Sequence, residues 1–319
     1  MANLILTNNC QRKCEYCFAQ EDRYRNEEFT WRNFIEAAEF IATGPKVVNV
    51  LGGEPTLHKK FADMLEYLIL EDYTIQVFTN GMVSDDKMDD ILRLLNNTTL
   101  KNNQLFFAVN VSETNCSTDS EIKLQKRFFS SVKHIAYPSF TIHNKDTDLF
   151  FLHQIIEKYN LDPTIRLGLA MPVIRGSNKH LPISAYKTVA KNIIKLSESS
   201  SGTTIKFDCG FPLCMFTLEE VNKLNNNEEN AFVFTCGQPL DIYPDLTVTN
   251  CYPLSKVHRI NLKDYTSIMD VYTYFDKGFE TPTGIYGKRC LDCTFFRKVC
   301  SGGCKGFYRS RGQEVNRTF

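Results

Sequence analysis

Three cysteines stand close together near the N-terminus of the chain. Cys10, Cys14 and Cys17 follow one another as C-x3-C-x2-C, directly after a short apolar run. Three thiolates on one loop can hold three corners of a cubane iron–sulfur cluster and leave the fourth iron open for a ligand. A structural zinc ion fits this loop less well, because zinc prefers four ligands and neither histidine nor a fourth cysteine is adjacent. The spacing therefore predicts an iron–sulfur site with one open coordination position.

Eight further cysteines lie beyond residue 205. Four of them read C-x2-C-x6-C-x3-C, two are separated by fourteen residues, and two lie in the segment DCGFPLC: Cys290, Cys293, Cys300, Cys304, Cys236, Cys251, Cys209 and Cys214. Such CxxC pairs are typical of zinc ribbons and also of four-thiolate iron–sulfur clusters. Their number is sufficient for two four-thiolate sites, and the spacing by itself leaves the metal open.

The rest of the composition favours a cytoplasmic protein with reduced thiols. The chain has 319 residues, 37 of them basic and 37 acidic, and it contains 12 cysteines. We see neither an export signal nor an apolar run of about 18 residues, so disulfides and a membrane partner are not expected. The balanced charge argues against a nucleic-acid partner, because such proteins usually carry a basic excess.

Short apolar runs alternate with helical patterns over the first 200 residues. The pattern predicts six strands, each followed by a helix: 3–7, 46–51, 74–78, 105–111, 139–143 and 165–171. Serial βα units indicate a parallel sheet covered by helices, either doubly wound or an incomplete barrel, with ligands at the carboxyl ends of the strands. The polar run at 197–202 is expected to be a linker.

Two motifs resemble those of the radical S-adenosylmethionine (SAM) enzymes. The first is CQRKCEYC, in which Tyr16 precedes the third cysteine and Phe18 follows it, and the second is Gly52-Gly53-Glu54-Pro55, one βα unit later. The resemblance implies a partial (β/α)6 TIM-like barrel over residues 1–200. It also implies a [4Fe–4S] cluster on Cys10, Cys14 and Cys17 whose open iron chelates SAM. Reductive cleavage of SAM then yields methionine and a 5′-deoxyadenosyl radical, which abstracts a substrate hydrogen.

The same resemblance implies a set of cofactor-binding residues. The segment Gly52, Gly53, Glu54 and Pro55 is expected to hold the amino group of SAM, a carboxylate being a good acceptor for an ammonium group. The other residues expected to line the cofactor site are Tyr16, Phe18, Asn80 near the adenosyl group, Asn110 and Ser112 near the ribose, and Arg166 near the SAM carboxylate. Each of these polar residues also has a plainer interpretation as the polar end of a strand.

The C-terminal part resembles the SPASM domain that carries auxiliary clusters in many radical SAM enzymes. We expect a small Cys-rich α+β domain over residues 201–319. The pattern departs from the family in its x6 spacer, in Leu246 where the family has glycine, and in the absence of a cysteine after Cys304. Family logic assigns Cys236, Cys251 and Cys304 to a first auxiliary [4Fe–4S] cluster and Cys290, Cys293 and Cys300 to a second.

Under this assignment each auxiliary cluster lacks one ligand. Cys209 and Cys214 would supply one each. The alternatives are an open iron that binds substrate, or a single auxiliary cluster with unused thiols.

The resemblance also implies a peptide substrate and RiPP-type maturation, such as a thioether or other crosslink or an epimerisation. Since the chain begins with strand one, leader recognition is expected from a separate protein or from the C-terminal domain, and the reductant is expected to be a flavodoxin or ferredoxin. Cys116, after strand four, is a hypothetical hydrogen-atom donor, although a buried structural role is the simpler interpretation. The rival functions are a dehydrogenase acting on a sugar or aminocyclitol and a zinc-stabilised binding protein without turnover.

Overall fold

A ten-stranded sheet forms the centre of the computed structural model, which describes residues 2–22, 25–113, 118–225, 234–237, 239–278 and 283–310. The strands are β1 Ala2–Ile5, β2 Val47–Leu51, β3 Thr74–Thr79, β4 Leu105–Asn110, β5 Ala136–Ile142, β6 Thr164–Leu169, β7 Thr204–Phe207, β8 Leu240–Ile242, β9 Thr247–Thr249 and β10 Ile260–Asn261. Their order in the sheet is β10-β9-β8-β1-β2-β3-β4-β5-β6-β7.

Helices connect the strands. They are α1 Trp31–Ile41, α2 Phe61–Leu70, α3 Asp85–Asn97, α4 Asp119–Val132, α5 Phe151–Tyr159, α6 Tyr186–Ser199, α7 Leu218–Asn225, α8 Ile268–Gly278, α9 Lys288–Leu291 and α10 Lys305–Ser310. Helix α1 shows why they form: Thr30 caps its first turn by accepting a hydrogen bond from the Asn33 amide. Phe34, Ala38 and Ile41 then recur at helical spacing and are buried in the core.

Strands β1 to β8 all run parallel, and the antiparallel pairings among the described strands are those of β9 with β8 and with β10. This mostly parallel sheet with connecting helices confirms the predicted α/β fold class. All six predicted strands are present, with ends that differ by at most three residues. Because side chains alternate along a strand, Leu4 packs into the main core while Asn3 points to the opposite face, where it accepts a hydrogen bond from Asn49.

The sheet continues past residue 200, where the sequence pattern indicated a linker. Helix α6 extends to Ser199, and a short turn leads directly into β7, which pairs with β6. The expected linker is therefore wrong: these residues end a helix and turn into a seventh parallel strand. Strand β8 then pairs with β1 from the other side. Segments on both sides of residue 200 therefore contribute strands to one sheet. Strand β7 has only four residues, so its pattern in the sequence was too short to predict it.

The hairpin between β8 and β9 retains its turn despite Leu246. This residue adopts the left-handed conformation, with φ of 65°, and its amide donates to the Tyr243 carbonyl at 2.9 Å. A non-glycine residue in this conformation costs about 1–2 kcal/mol. The Leu246 side chain is buried in the core, and burial of a leucine contributes about 2–3 kcal/mol. Packing thus offsets the strain where the SPASM-like pattern has glycine.

No helix in the described ranges is both long enough and apolar enough to cross a membrane.

Candidate cluster and cofactor site

The cysteine loop follows β1 and meets the end of β3. Cys10, Cys14 and Cys17 are partly exposed, and the Cys17 amide closes a turn onto the Cys14 carbonyl at 3.1 Å. The Asn80 side chain places its Nδ2 4.0 Å from the Cys10 Sγ. Its Oδ1 accepts from Gln11 at 3.3 Å and from the Met82 amide at 2.8 Å. Asn80, which was predicted from its position at a strand end, therefore contacts the cysteine loop directly.

Gly52 and Gly53 bring the loop after β2 against the backbone that precedes the cysteines. The Gly53 amide donates to the Thr7 carbonyl at 2.7 Å, and the Glu54 amide donates to the Asn9 carbonyl at 2.7 Å. A Cβ at Gly53 would lie 2.3 Å from the Asn9 oxygen, and one at Gly52 would lie 2.4 Å from the Thr7 oxygen. In this structure the paired glycines therefore allow one loop of the chain to support another.

The Glu54 carboxylate is fully buried and has four donors. Its Oε1 accepts from the Thr56 amide at 3.2 Å, the Thr56 hydroxyl at 2.7 Å and the Thr79 hydroxyl at 2.7 Å. Its Oε2 accepts from the Asn80 amide at 2.7 Å. Burial raises the pKa of Glu54, and these hydrogen bonds act in the opposite direction. The carboxylate is thus occupied within the protein, where it joins the turn after β2 to the end of β3.

Arg12, between the first two cysteines, is a site residue that the sequence analysis missed. Its buried guanidinium forms an ion pair with Glu121 on α4 and donates to the Asn110 carbonyl at 2.6 Å. Burial lowers the pKa of Arg12, whereas the nearby Cys14 thiolate raises it. A basic residue inside the cysteine motif was the available signal. Its partner lies 109 residues away in sequence, so only the fold reveals the pair.

The predicted residues Tyr16, Asn110 and Ser112 meet around this ion pair. Asn110 Nδ2 donates to the Tyr16 hydroxyl at 3.3 Å, and the Ser112 hydroxyl is 3.5 Å from Glu121. The Tyr16 ring stacks on His143, after β5, with 4.4 Å between the ring centroids. Burial raises the pKa of Tyr16. The ends of β4 and β5 are in this way attached to the cysteine loop, and ribose contacts by Asn110 and Ser112 stay a prediction.

Phe18 and Pro55 lie at the edges of the same region. The Phe18 ring packs on Tyr252 with centroids 4.8 Å apart, and the Tyr252 hydroxyl bonds to Asp22. Pro55 begins a short 3₁₀ turn, residues 55–57, just after Glu54. Tyr252 directly follows Cys251 in the chain. Phe18 therefore connects the cysteine loop to the Cys-rich part of the protein.

Arg166 lies on β6, and its partners belong to the protein. Its guanidinium pairs with Asp208, donates to the Ser139 hydroxyl at 3.2 Å and lies over the Phe78 ring at 4.5 Å. Asp208 directly precedes Cys209. Arg166 therefore forms an ion pair with Asp208 just after β7. Its contact with a SAM carboxylate stays a prediction.

Four thiols form a first group, here called quartet I: Cys209, Cys236, Cys251 and Cys304. Burial raises the pKa of Cys209, and the neighbouring Asp208, Cys236, Cys304 and Cys251 raise it further. Burial likewise raises the pKa of Cys304 to about 12, with Cys236 contributing. Binding of a cation would stabilise these thiolates and so release the thiol protons to solvent.

Four other thiols form quartet II: Cys214, Cys290, Cys293 and Cys300. All four line one cavity of about 270 Å³, together with apolar side chains that include Phe216, Tyr286, Phe295 and Phe296. Burial raises the pKa of Cys214, and the nearby Cys300 and Cys290 raise it further. The Cys300 sulfur accepts from the amides of Leu213 at 3.4 Å and Gly302 at 3.3 Å. Amide donors to a cysteine sulfur are a feature of iron–sulfur sites.

Cys116, the hypothetical hydrogen-atom donor, lies outside the described residues.

Residues 4–111, which contain the cysteine loop, Glu54 and Asn80, match the family model of the radical SAM superfamily. This match covers about one third of the chain and identifies a radical SAM domain in it. A SAM-dependent nucleotide dehydratase of Selenomonas ruminantium is 31% identical over 80 residues, 25% of this chain. A GTP 3′,8-cyclase of Synechocystis is 30% identical over 121 residues, 37% of this chain. These alignments span 29% and 35% of the length of the two curated relatives.

Two solved structures resemble nearly the whole chain in fold. Streptococcus suis SuiB bound to SAM has a TM-score of 0.66 and 14% identity, covering 96% of this chain and 72% of SuiB. The structure of anSMEcpe with SAM and the Cp18Cys peptide has a TM-score of 0.67 and 15% identity, covering 98% of this chain and 92% of anSMEcpe. At these identities the likeness establishes a shared fold.

The cofactors of the superfamily are a [4Fe–4S] cluster and SAM, and the residues of the cysteine loop suit them. Three partly exposed cysteines lie on one loop, and Asn80 approaches the sulfur of Cys10. Within the described ranges, no three His, Cys, Asp or Glu side chains converge on one position that could hold a single metal ion. A cubane cluster binds each thiolate through a different iron, so its ligands need not converge on one point. Ligation by the loop and by the quartets is accordingly a proposal.

We predict that Gly53→Ala prevents stable assembly of the N-terminal site. The added Cβ would collide with two backbone oxygens, so both backbone bonds between the loops must break. Anaerobically reconstituted protein should lose about four irons per chain. Gly202→Ala is the control, since its Cβ meets no atom within 4 Å although its φ is +80°. It should cost about 1 kcal/mol in stability and keep all iron. Full iron in Gly53→Ala would contradict the prediction.

Glu54→Gln separates a structural role of this side chain from SAM binding. The NH2 group of the new side chain would face hydrogen-bond donors that now bind the Glu54 carboxylate. The metal-free protein should therefore lose about 1–3 kcal/mol of unfolding free energy. Glu27→Gln is the control, because Glu27 accepts only one side-chain bond, from Asn8 at 3.1 Å, among the described contacts. An unchanged thermal midpoint combined with weaker SAM binding would instead support direct contact with the SAM amino group.

The two quartets predict which single cysteine substitutions change the same spectroscopic signal. Cys209→Ser and Cys251→Ser should alter one and the same electron paramagnetic resonance signal of the reduced protein, because both belong to quartet I. Cys214→Ser and Cys290→Ser should alter a different one. Total iron should be about twelve per chain in the wild type and about eight in the Cys10/Cys14/Cys17→Ala variant. A shared signal for Cys209→Ser and Cys290→Ser would refute the grouping, and zinc in place of iron would indicate structural sites.

Proposed function

We propose that this protein is a radical SAM enzyme that abstracts a hydrogen atom from a peptide substrate and contributes to RiPP-type peptide maturation. The observation that carries the radical chemistry is the cysteine loop at the carboxyl ends of β1, β3 and β4, supported by Gly53 and held by Asn80 and Arg12. Bound there, the cluster and SAM together supply a 5′-deoxyadenosyl radical.

The contribution of the chain itself is rigid positioning. Glu54 fixes the loop after β2 to the end of β3, and the Arg12–Glu121 pair ties the cysteine loop to α4. Tyr16, held by Asn110 and stacked on His143, fixes the loop against β4 and β5. A radical reaction needs this because hydrogen abstraction requires the reacting atoms to be held in near contact. Phe18 packs on Tyr252 at another side of the loop.

A peptide substrate is supported by the structural neighbours and by the eight C-terminal thiols. SuiB is described in complex with its precursor peptide SuiA, with a TM-score of 0.65 over 96% of this chain, and anSMEcpe with the Cp18Cys peptide. The resemblance extends through the region of both quartets. Auxiliary metal sites suit reactions that remove electrons from the substrate, such as formation of a crosslink.

A nucleotide or another small molecule is the second candidate substrate. It is favoured by the curated relatives, a nucleotide dehydratase and a GTP cyclase. Because those alignments cover 25% and 37% of this chain, they support the shared SAM chemistry more than a shared substrate. We therefore rank the peptide first.

Deuterium transfer tests both candidates. Reconstituted protein with SAM and dithionite should form 5′-deoxyadenosine, and the Cys10/Cys14/Cys17→Ala variant should form none. Perdeuterated peptides encoded beside the gene, or deuterated nucleoside triphosphates, are then added separately, and 5′-deoxyadenosine is analysed by mass spectrometry. Deuterium in 5′-deoxyadenosine that comes from the peptide supports the proposal. Deuterium that comes only from the nucleotide would instead support the second candidate substrate. Absence of 5′-deoxyadenosine from iron-loaded wild type would overturn the radical SAM activity.

A further inference from the structure

The segment that carries three thiols of quartet II is also an exposed apolar surface. Leu291, Phe295 and Val299 are between 42% and 58% exposed, and Leu218 on α7, which lines the same cavity as Phe295, is 66% exposed. Of the ten exposed large hydrophobic residues in the described part of the chain, Leu218 and Phe295 line this cavity, and Leu291 and Val299 lie in the same 288–299 segment as Phe295. Scattered exposed apolar residues are ordinary, but a cluster of them beside a cavity marks a binding surface.

Basic side chains border this apolar surface. Lys288, Arg289, Arg297 and Lys298 are all exposed, and Asp292 is the single acidic residue between positions 288 and 299. The whole chain has no net charge, so this concentration of positive charge is local. We call the exposed residues of 288–299, together with Leu218, the basic apolar face. An apolar centre with a charged border is typical of a protein interface in which charge guides the encounter.

The face lies over the thiols of quartet II. Cys293 is partly exposed, and Phe295 and Arg289 line the cavity together with the four thiols. Quartet II is also joined to quartet I by a short peptide: Cys300 and Cys304 are four residues apart, so their Cα atoms lie within about 14 Å. Cys209 of quartet I directly follows Asp208, the partner of Arg166 at the end of β7. The two quartets therefore connect the sheet to this surface.

We propose that the basic apolar face is the docking surface for a small acidic protein that carries single electrons, of the flavodoxin or ferredoxin class. This inference rests on the proposed function and adds to it the place where electrons are exchanged. In the exchange, one electron moves between the site held by quartet II and the carrier, which changes its oxidation state by one, while no bond of this chain forms or breaks. Small interfaces suffice for such partners, since electron-transfer complexes bury less than about 1,200 Å².

Charge reversal on the face provides the test. The variant Lys288→Glu/Lys298→Glu changes two exposed side chains, and the control Lys123→Glu/Lys126→Glu makes the same change on exposed positions of α4. Binding of oxidised flavodoxin to the reconstituted protein is measured anaerobically at about 20 mM and about 300 mM salt, since salt screens exposed charges. We expect the face variant to bind about tenfold more weakly at low salt, the control within about twofold of wild type, and high salt to remove most of the difference.

A second readout follows electrons rather than binding. Stopped-flow absorbance should show that reduced flavodoxin reduces the face variant about tenfold more slowly than wild type, whereas dithionite reduces both at the same rate. Equal flavodoxin binding by the face variant and wild type would overturn the docking proposal. So would a dimer of wild type that the variant dissociates, or a peptide substrate whose binding the variant abolishes, because each assigns the face to another occupant.

The docking proposal and the proposed function fail in different ways. If dithionite still drives 5′-deoxyadenosine formation but flavodoxin binds the face variant as tightly as wild type, only the docking proposal is wrong. If dithionite drives no SAM cleavage in iron-loaded wild type, the radical function itself is wrong.

Discussion

The buried carboxylate of Glu54 is the interaction on which the cluster site depends. It accepts four hydrogen bonds, and their donors come from the turn after β2 and from the end of β3. A buried charge without such partners would be strongly destabilising, so the two loops can pack only in the arrangement that satisfies it. The same segment donates backbone bonds to the β1 loop, and Asn80 then reaches Cys10. The position of the first cysteine is thereby set by three strand ends at once.

The C-terminal thiols depend on a second constraint, the curvature of the sheet. Cys209 follows β7 at one end of the strand order, whereas Cys251 follows β9 near the other end, yet the two thiols belong to quartet I. The ends of the sheet must therefore approach each other, as they do in a partial barrel. Cys304 and Cys236 complete this junction. The first group of thiols thus joins the two sides of the sheet, and the second lies toward solvent beneath the basic apolar face.

Where sequence reasoning succeeded, the signal was local. The six predicted strands and the position of Asn80 came from apolar runs and from the residues that follow them. Where it failed, the deciding partner was remote. The polar run at 197–202 has loop composition, but the buried stripe of α6 extends through Leu196 and keeps the chain helical as far as Ser199. The four donors to the Glu54 carboxylate were not foreseen, because they are visible only in the fold, and its contact with SAM stays a prediction. Arg12 was missed because Glu121 is distant in sequence.

The sequence by itself determined the class of chemistry, since three thiols at C-x3-C-x2-C spacing followed by Gly52-Gly53-Glu54-Pro55 lie within two local segments. It also determined the parallel α/β fold, because hydrophobic periodicity is a property of neighbouring residues. Only the tertiary structure decided which of the two groups Cys209 and Cys214 each approach, Cys209 lying near Cys236, Cys251 and Cys304 and Cys214 near Cys290 and Cys300. The physical reason is that a metal site is assembled across the sheet: its ligands come from strand ends and turns whose proximity depends on pairing and curvature, and neither is encoded in spacing along the chain.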